Sequence, residues 1–203
     1  MIKIIEIKQC ARNKERVNLY TEDGFLMAVY IDTVLANHIK KDAVFSEEKL
    51  EEIRKQDAQR YAVQAAMEYV SYKPRTEKEV RVKLASKEIA EDAIDLAIEK
   101  LKEYGYINDA EYAAAYVAEL LPKYGKRVIL QKLAQKGVLR ETALEATQTA
   151  AAPEEQLTKM AETLRRRYRD DEPYKQKQKI IRSLMAKGFE YDDIKNVLSK
   201  EEE

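Results

Sequence analysis

The stretch Ile129-Leu130-Gln131-Lys132-Leu133-Ala134-Gln135-Lys136-Gly137-Val138 occurs in two further versions in the same chain. Val80-Arg81-Val82-Lys83-Leu84-Ala85-Ser86-Lys87-Glu88-Ile89 precedes it, and Ile180-Ile181-Arg182-Ser183-Leu184-Met185-Ala186-Lys187-Gly188-Phe189 follows it. Aligned, Leu84, Leu133 and Leu184 superpose, as do Lys87, Lys136 and Lys187 and the apolar closers Ile89, Val138 and Phe189. The leucines stand 49 and 51 residues apart. A near-constant period of this length marks a repeat architecture. Stacked helical units offer a partner a long surface more readily than they offer a substrate a pocket.

Working outward, each copy closes a helix. Gly137 and Gly188 sit where a left-handed residue ends one. Thr76-Glu77-Lys78-Glu79 is a capping box that opens the helix of the first copy. Upstream, Ser46 is an N-cap followed by Glu47 and Glu48, which suit the positive end of the helix dipole. That helix is expected to run to about Tyr72, where Lys73-Pro74 stops it. Ile94, Ala97, Ile98 and Leu101 form an apolar stripe at helical spacing, ended by Gly105. Asn108-Asp109-Ala110-Glu111 opens a second unit. Pro153, at the first position of a helix and followed by Glu154 and Glu155, opens a third. Each unit reads helix, helix, helix. One unit buries too little to stand alone, so neighbours complete each other's core.

Residues before this are different. Lys3 to Lys8 and Arg16 to Thr21 alternate apolar and polar residues, as half-buried strands do. Glu22-Asp23-Gly24 is a hairpin signal, with Phe25 to Ile31 as the returning strand. About three antiparallel strands are expected, then a short helix from Asp32 to about Lys40. The expected fold is therefore mainly α: three tandem three-helix repeats in an elongated array, preceded by a small N-terminal antiparallel β-sheet. Residues 1–45 form the sheet extension with its short helix, and the repeats span 46–107, 108–152 and 153–203.

Composition excludes several function classes. The 203 residues hold one histidine, His38, and one cysteine, Cys10. A histidine triad, a multi-histidine metal site and an internal disulfide framework cannot be built from these. No glycine-rich phosphate loop is present. The chain is read as a non-enzyme without cofactor or metal. Met1 to Lys8 lacks the apolar core of a signal peptide, and no apolar run approaches the ~20 residues of a membrane span. A cytoplasmic monomer away from membranes is expected.

Net charge is zero, from 37 basic and 37 acidic residues, but its distribution is not even. Residues 73–87 carry six bases against two acids, 123–140 six bases and no acid, and 165–187 nine bases against three acids. The stretches that follow invert this: six acids against two lysines in 88–103, four acids and no base in 141–155, and six acids against two lysines in 190–203. Each unit thus sets a basic second helix beside an acidic third one. A recurrent basic stripe suits phosphate or an acidic protein surface. The candidate contacts are Arg75, Lys78, Arg81 and Lys83 in the first unit. In the second they are Lys126, Arg127, Lys132 and Lys136, and in the third Lys179, Arg182 and Lys187. The plainer reading is that oppositely charged neighbouring helices pair with each other, at about 0–1 kcal/mol per exposed pair. Tyr61, Tyr69, Tyr112, Tyr116 and Tyr168 stand at core spacing. Tyr124 and Tyr174 lie inside basic turns, where a ring can stack on a base.

These residues resemble the RecX family of recombinase regulators. The resemblance rests on Tyr72-Lys73-Pro74-Arg75-Thr76-Glu77-Lys78-Glu79-Val80 with Lys83-Leu84. It continues through Leu101, Gly105-Tyr106-Ile107-Asn108-Asp109, Glu111-Tyr112-Ala113 and Gly125 with Leu133 and Lys136-Gly137-Val138. It ends on Leu184 with Lys187-Gly188-Phe189. It implies three tandem three-helix repeats and a protein that binds the RecA filament on single-stranded DNA, damping strand exchange and co-protease activity. Two rivals remain on the residues alone: a helical DNA-binding regulator that works without RecA, and a repeat scaffold for peptides. Glu88 departs from the family pattern, since it stands where the other units have glycine. The first unit's turn is expected to close differently or to lengthen its helix.

Overall fold

A computed structural model describes residues 1–11, 13–149 and 154–200. The chain forms two compact units. One is Met1–Lys73 with Val80–Tyr106; the other is Pro74–Glu79 with the chain from Ile107 onward.

The first unit begins with two small sheets. β1 (Ile2–Lys3) pairs antiparallel with β5 (Val44–Phe45), a strand the sequence did not announce. β2 (Glu6–Gln9), β3 (Arg16–Thr21) and β4 (Gly24–Tyr30) form the expected three-stranded antiparallel sheet in the order β2-β3-β4. The single strand expected over Lys3 to Lys8 is therefore split in two. The hairpin also turns one residue earlier than an Asp-Gly centre implies. Thr21 faces Gly24, so Glu22 and Asp23 make the turn, and Gly24 takes φ 109° at the strand's start. A register shift at Leu19/Tyr20 follows, which leaves Leu26 as the extra, bulged residue. A positive-φ glycine after a turn, with a bulge beside it, is a common hairpin closure.

Helix α1 (Ile31–Ala36) is shorter than expected. His38 takes φ 51° just beyond it, and the Ile39 N–H donates to the Val34 carbonyl at 2.9 Å. Helix α2 (Glu47–Ser71) is capped by Ser46, whose side chain accepts from Lys49 N. Its first turns close the sheet core, where Leu50 and Ile53 pack with Ile4, Leu19, Met27, Val29 and Ile39. Its later turns bury Ala62, Ala65 and Ala66. Small residues there let α4 (Glu91–Glu103) approach closely with Ala93, Ile94, Ala97, Ile98 and Leu101.

Helix α3 (Glu77–Ala85) opens on the capping box. Glu79 N donates to Thr76 Oγ1 at 3.2 Å, and Thr76 N donates to Glu79 Oε2 at 3.3 Å. The helix is not lengthened at Glu88. That residue adopts φ 59°, the left-handed conformation the glycines adopt at Gly137 (φ 86°) and Gly188 (φ 90°). Its N–H donates to the Ala85 carbonyl, as Gly137 N–H donates to Ala134 and Gly188 N–H to Met185. The expectation of a longer helix is thus corrected. The turn still differs in part: α3 ends one residue after Leu84, and the bonds that the Val138 and Phe189 N–H groups donate to the Leu133 and Leu184 carbonyls have no counterpart at Ile89 among the described residues.

The second unit holds α5 (Asp109–Leu120), α6 (Lys126–Lys136), α7 (Arg140–Thr149), α8 (Glu154–Arg167), α9 (Pro173–Ala186) and α10 (Tyr191–Lys200). Asn108 caps α5 by accepting from Ala110 N and Glu111 N. Pro153, expected at the head of α8, lies outside the described residues. Two clusters form the core. One joins Val117, Ile129, Leu133 and Val138; the other joins Leu157, Ile180, Leu184 and Phe189. Leu84, Leu133 and Leu184 are each 0% exposed, so the recurrent leucine is one core position built three times.

Candidate interaction surface on the second helices

In the second unit the second helices meet end to end through one joint, built twice. At the first joint the cap residue Thr76 donates from Oγ1 to the Lys136 carbonyl at 2.7 Å. At the second, the cap residue Gly125 donates its N–H to the Lys187 carbonyl at 2.9 Å. Lys136 and Lys187 are the recurrent lysines. The start of α3 therefore meets the end of α6, and the start of α6 meets the end of α9. The positive end of one helix dipole faces the negative end of the next.

Both joints are tight. A Cβ on Gly137 would run into the Cβ and Cδ of Lys78. A Cβ on Gly125 would run into the Gly188 carbonyl, and one on Gly188 would meet Val128. Gly125 has an ordinary φ of −76°, so its lack of a side chain answers to space and not to backbone conformation.

The first joint is also charged. Lys136 Nζ donates to Glu79 Oε1 at 2.7 Å, with side chains 37% and 19% exposed. Burial pushes the Glu79 carboxyl up. The Lys136 bond, the Thr76 N–H and the nearby charges of Lys136 and Arg75 outweigh it and hold the carboxyl below its ordinary range. The Glu79 bond raises Lys136 against the opposing effect of burial. Burial, and then the charge of Glu79, raise Tyr112, whose ring stacks on Tyr116 with centroids 5.8 Å apart.

The structure sorts the eleven basic candidates. Lys136 belongs to the joint. Arg75 is half-buried beside Glu79, and Lys78 is exposed at its tip with its stem along Gly137. Arg127 donates to the Met185 carbonyl at 2.7 Å and so ties α6 to α9. Arg81 pairs across to α4, with Asp95 at 2.6 Å and Glu91 at 3.7 Å. That contact is the plain second-to-third-helix pairing. Lys83 lies exposed over the Tyr69 ring at 5.9 Å. Lys179 bonds both oxygens of Asp171, which precedes α9. Lys126 and Arg182 are exposed, and among the described residues the side chain of neither makes an ion pair or hydrogen bond.

One grouping brings two repeats together. Lys132 of α6 and Lys187 at the end of α9 both stand over the Tyr124 ring, 5.0 and 5.7 Å from its centroid. Tyr124 is half-buried and packs on the second-repeat core. Its ring is shared between two cations, while Tyr174 is 75% exposed. The sequence placed Tyr124 in a basic turn. It had no signal for the partner lysine, which lies more than sixty residues away. Among the described residues no group of three or more His, Cys, Asp or Glu side chains is arranged to hold a metal, and no helix is long and apolar enough to cross a membrane.

Two small sheets followed by three-helix units, each with a basic second helix, define a helical-repeat protein. Family profiles place it further. Residues 2–46 match the regulatory protein RecX N-terminal domain, and 62–101, 108–146 and 153–198 match the first, second and third three-helix domains of RecX. The chain belongs to the RecX family. It is 34% identical over 207 residues to the regulatory protein RecX of Clostridium perfringens (strain 13 / Type A), covering 98% of this chain and 96% of that one. It is 35% identical over 201 residues to that of Clostridioides difficile (strain 630), covering 97% and 94%. A crystal structure of regulatory protein RecX matches 97% of this chain and 100% of its own, with TM-score 0.76 and 28% identity. That of RecX from Lactobacillus salivarius matches 71% and 97%, with TM-score 0.68 and 36% identity.

Proposed function

We infer that this protein binds the RecA filament on single-stranded DNA and damps its recombination and co-protease activities, as a cytoplasmic monomer and without catalysis of its own. Family membership supports the RecA link. The observation that carries the contact surface is the joint at Gly125 and Gly188. It sets α6 and α9 end to end, so that Lys126, Lys132, Lys187 and Arg182 stand on two helices held in fixed relation. Several weak contacts on a fixed frame gain avidity along a polymer. The pair of lysines at Tyr124 favours a phosphate backbone as one of the surfaces touched, because a cation already seated over a ring keeps N–H donors for an anion.

The test is RecA ATP hydrolysis on single-stranded DNA with this protein titrated in, beside its binding to the same DNA alone. Loss of hydrolysis below one protein per RecA subunit, with weak binding to DNA alone, is the expected result. No effect on RecA removes this reading. Tight binding to DNA alone, without effect on RecA, would instead favour a regulator acting on nucleic acid directly.

A further inference from the structure

The joint between second helices has a donor half and an acceptor half. The donor half is a helix start whose cap residue bonds a carbonyl, Thr76 through its hydroxyl at α3 and Gly125 through its N–H at α6. The acceptor half is a helix end. There the carbonyl of a recurrent lysine is followed by a left-handed glycine, at Lys136-Gly137 and Lys187-Gly188. Two joints use two starts and two ends. The start of α9 and the end of α3 are left over, and both are open to solvent. Glu172, Pro173 and Tyr174 are exposed, whereas Thr76 and Gly125 are buried at the other two starts. Lys87 and Glu88 are exposed, whereas Gly188 is buried.

The leftover halves are a donor and an acceptor, so two copies could in principle meet through them, the α3 end of one on the α9 start of the next. Such a contact is heterologous. Each copy added leaves one half free, and the assembly grows copy by copy. Repeat proteins stay soluble when their terminal surfaces are unsuited to further stacking.

The residues at the leftover halves are unsuited in this way. Glu88 has the left-handed backbone of Gly137 and Gly188, with φ 59°, but it carries a full side chain. Both joints lack room for one: a Cβ on Gly137 would strike Lys78, and one on Gly188 would lie 2.6 Å from Val128 N. Glu172 is the cap residue of α9, where α3 has Thr76 and α6 has Gly125. A hydroxyl or a bare N–H donates to the lysine carbonyl, whereas an ionised carboxylate only accepts. Glu88 and Glu172 would also bring two negative charges together at one contact. We propose that Glu88 and Glu172 are end-stops, which keep copies of this protein from joining head to tail through a third joint. This rests on the monomeric state proposed above, and no RecA is needed to test it.

The experiment compares variants of the full chain by sedimentation velocity at up to about 1 mM, because one small contact between free copies binds weakly. Glu88→Gly frees the end of α3, and Glu172→Gly frees the start of α9. The double variant frees both and reproduces the glycine pair of the Gly125 joint. Glycine is an acceptable cap, and the exposed Glu172–Lys175 pair at 3.0 Å contributes little, so helicity by circular dichroism should not change. If Glu172→Gly fails to fold, Glu172→Thr, which copies Thr76, takes its place. Wild type and each single variant alone should sediment as monomers. An equimolar mixture of the two single variants should reach twice the monomer mass and stop, since one joint uses both freed halves. The double variant should grow beyond twice. A double variant that stays monomeric, or a mixture that grows past the dimer, overturns the end-stops and leaves the monomer reading standing. Self-association of the wild type overturns both.

Discussion

Asp57 is the residue on which the N-terminal sheet hangs. It is 5% exposed in the middle of α2 and accepts from Arg16, Tyr30 N and Thr33. Arg16 in turn lies over the Tyr30 and Tyr61 rings, at 4.8 and 5.6 Å. Asp57→Ala would strand a partly buried guanidinium and two further donors. It is expected to cost about 3–5 kcal/mol, measured by urea unfolding, with Asp57→Asn costing less. Glu79 gives a pH signature. Its folded pKa lies below the ordinary 4.5, so its bond with Lys136 contributes in full above that value and fades as pH falls through the lowered one. Stability of the wild type and of Lys136→Met should differ at neutral pH and converge on acidification. A difference that persists at the acid end would refute the link.

At the scale of elements, the recurrent turn is closed three times with one residue of the wrong type. Glu88 holds a left-handed backbone at φ 59°, which costs a non-glycine residue about 1 kcal/mol or more. Glu88→Gly is therefore expected to raise stability by about 0.5–1 kcal/mol, read as a higher urea midpoint at unchanged slope. The joints make the opposite case. Gly125→Ala keeps a permitted backbone but drives a methyl into the Gly188 carbonyl. An expected cost of about 1–3 kcal/mol follows from crowding alone. Gly105→Ala is the control, since its φ is 74° and nothing stands within 4 Å of an added Cβ. It should cost only the backbone strain, about 1 kcal/mol.

For the whole molecule, the basic residues are not equivalent. Lys136, Arg127 and Arg81 hold internal contacts, and their removal would mix folding with binding. Lys126, Lys132 and Lys187 are better probes. Replacing the three by Glu should weaken inhibition of RecA ATP hydrolysis while leaving helicity intact. If each meets a phosphate, the salt dependence of filament binding should flatten by about 0.7 per contact removed. Unchanged inhibition by the folded triple variant would take this surface out of the mechanism.

Local signals carried most of the architecture because helix caps, turn residues and apolar periods act over a few neighbours. The Ser46 cap, the Thr76–Glu79 box, the Asn108 cap and the threefold leucine were all legible in the chain. So was the basic character of the second helices. What needed tertiary structure were pairings between distant residues. Asp57 read as one acid among 37, until the fold carried Arg16 and Tyr30 to it across more than twenty residues. Gly125 entered the sequence reading only as one residue of the family resemblance, and only the docking of α9 showed that its missing side chain makes room for Gly188. Charge patterning told which helices are basic, and packing decided which of those bases face a neighbour and which face outward. The reason is physical. Backbone preference is a property of a residue and its neighbours in sequence, whereas burial, clearance and ion pairing are properties of whatever the fold brings alongside.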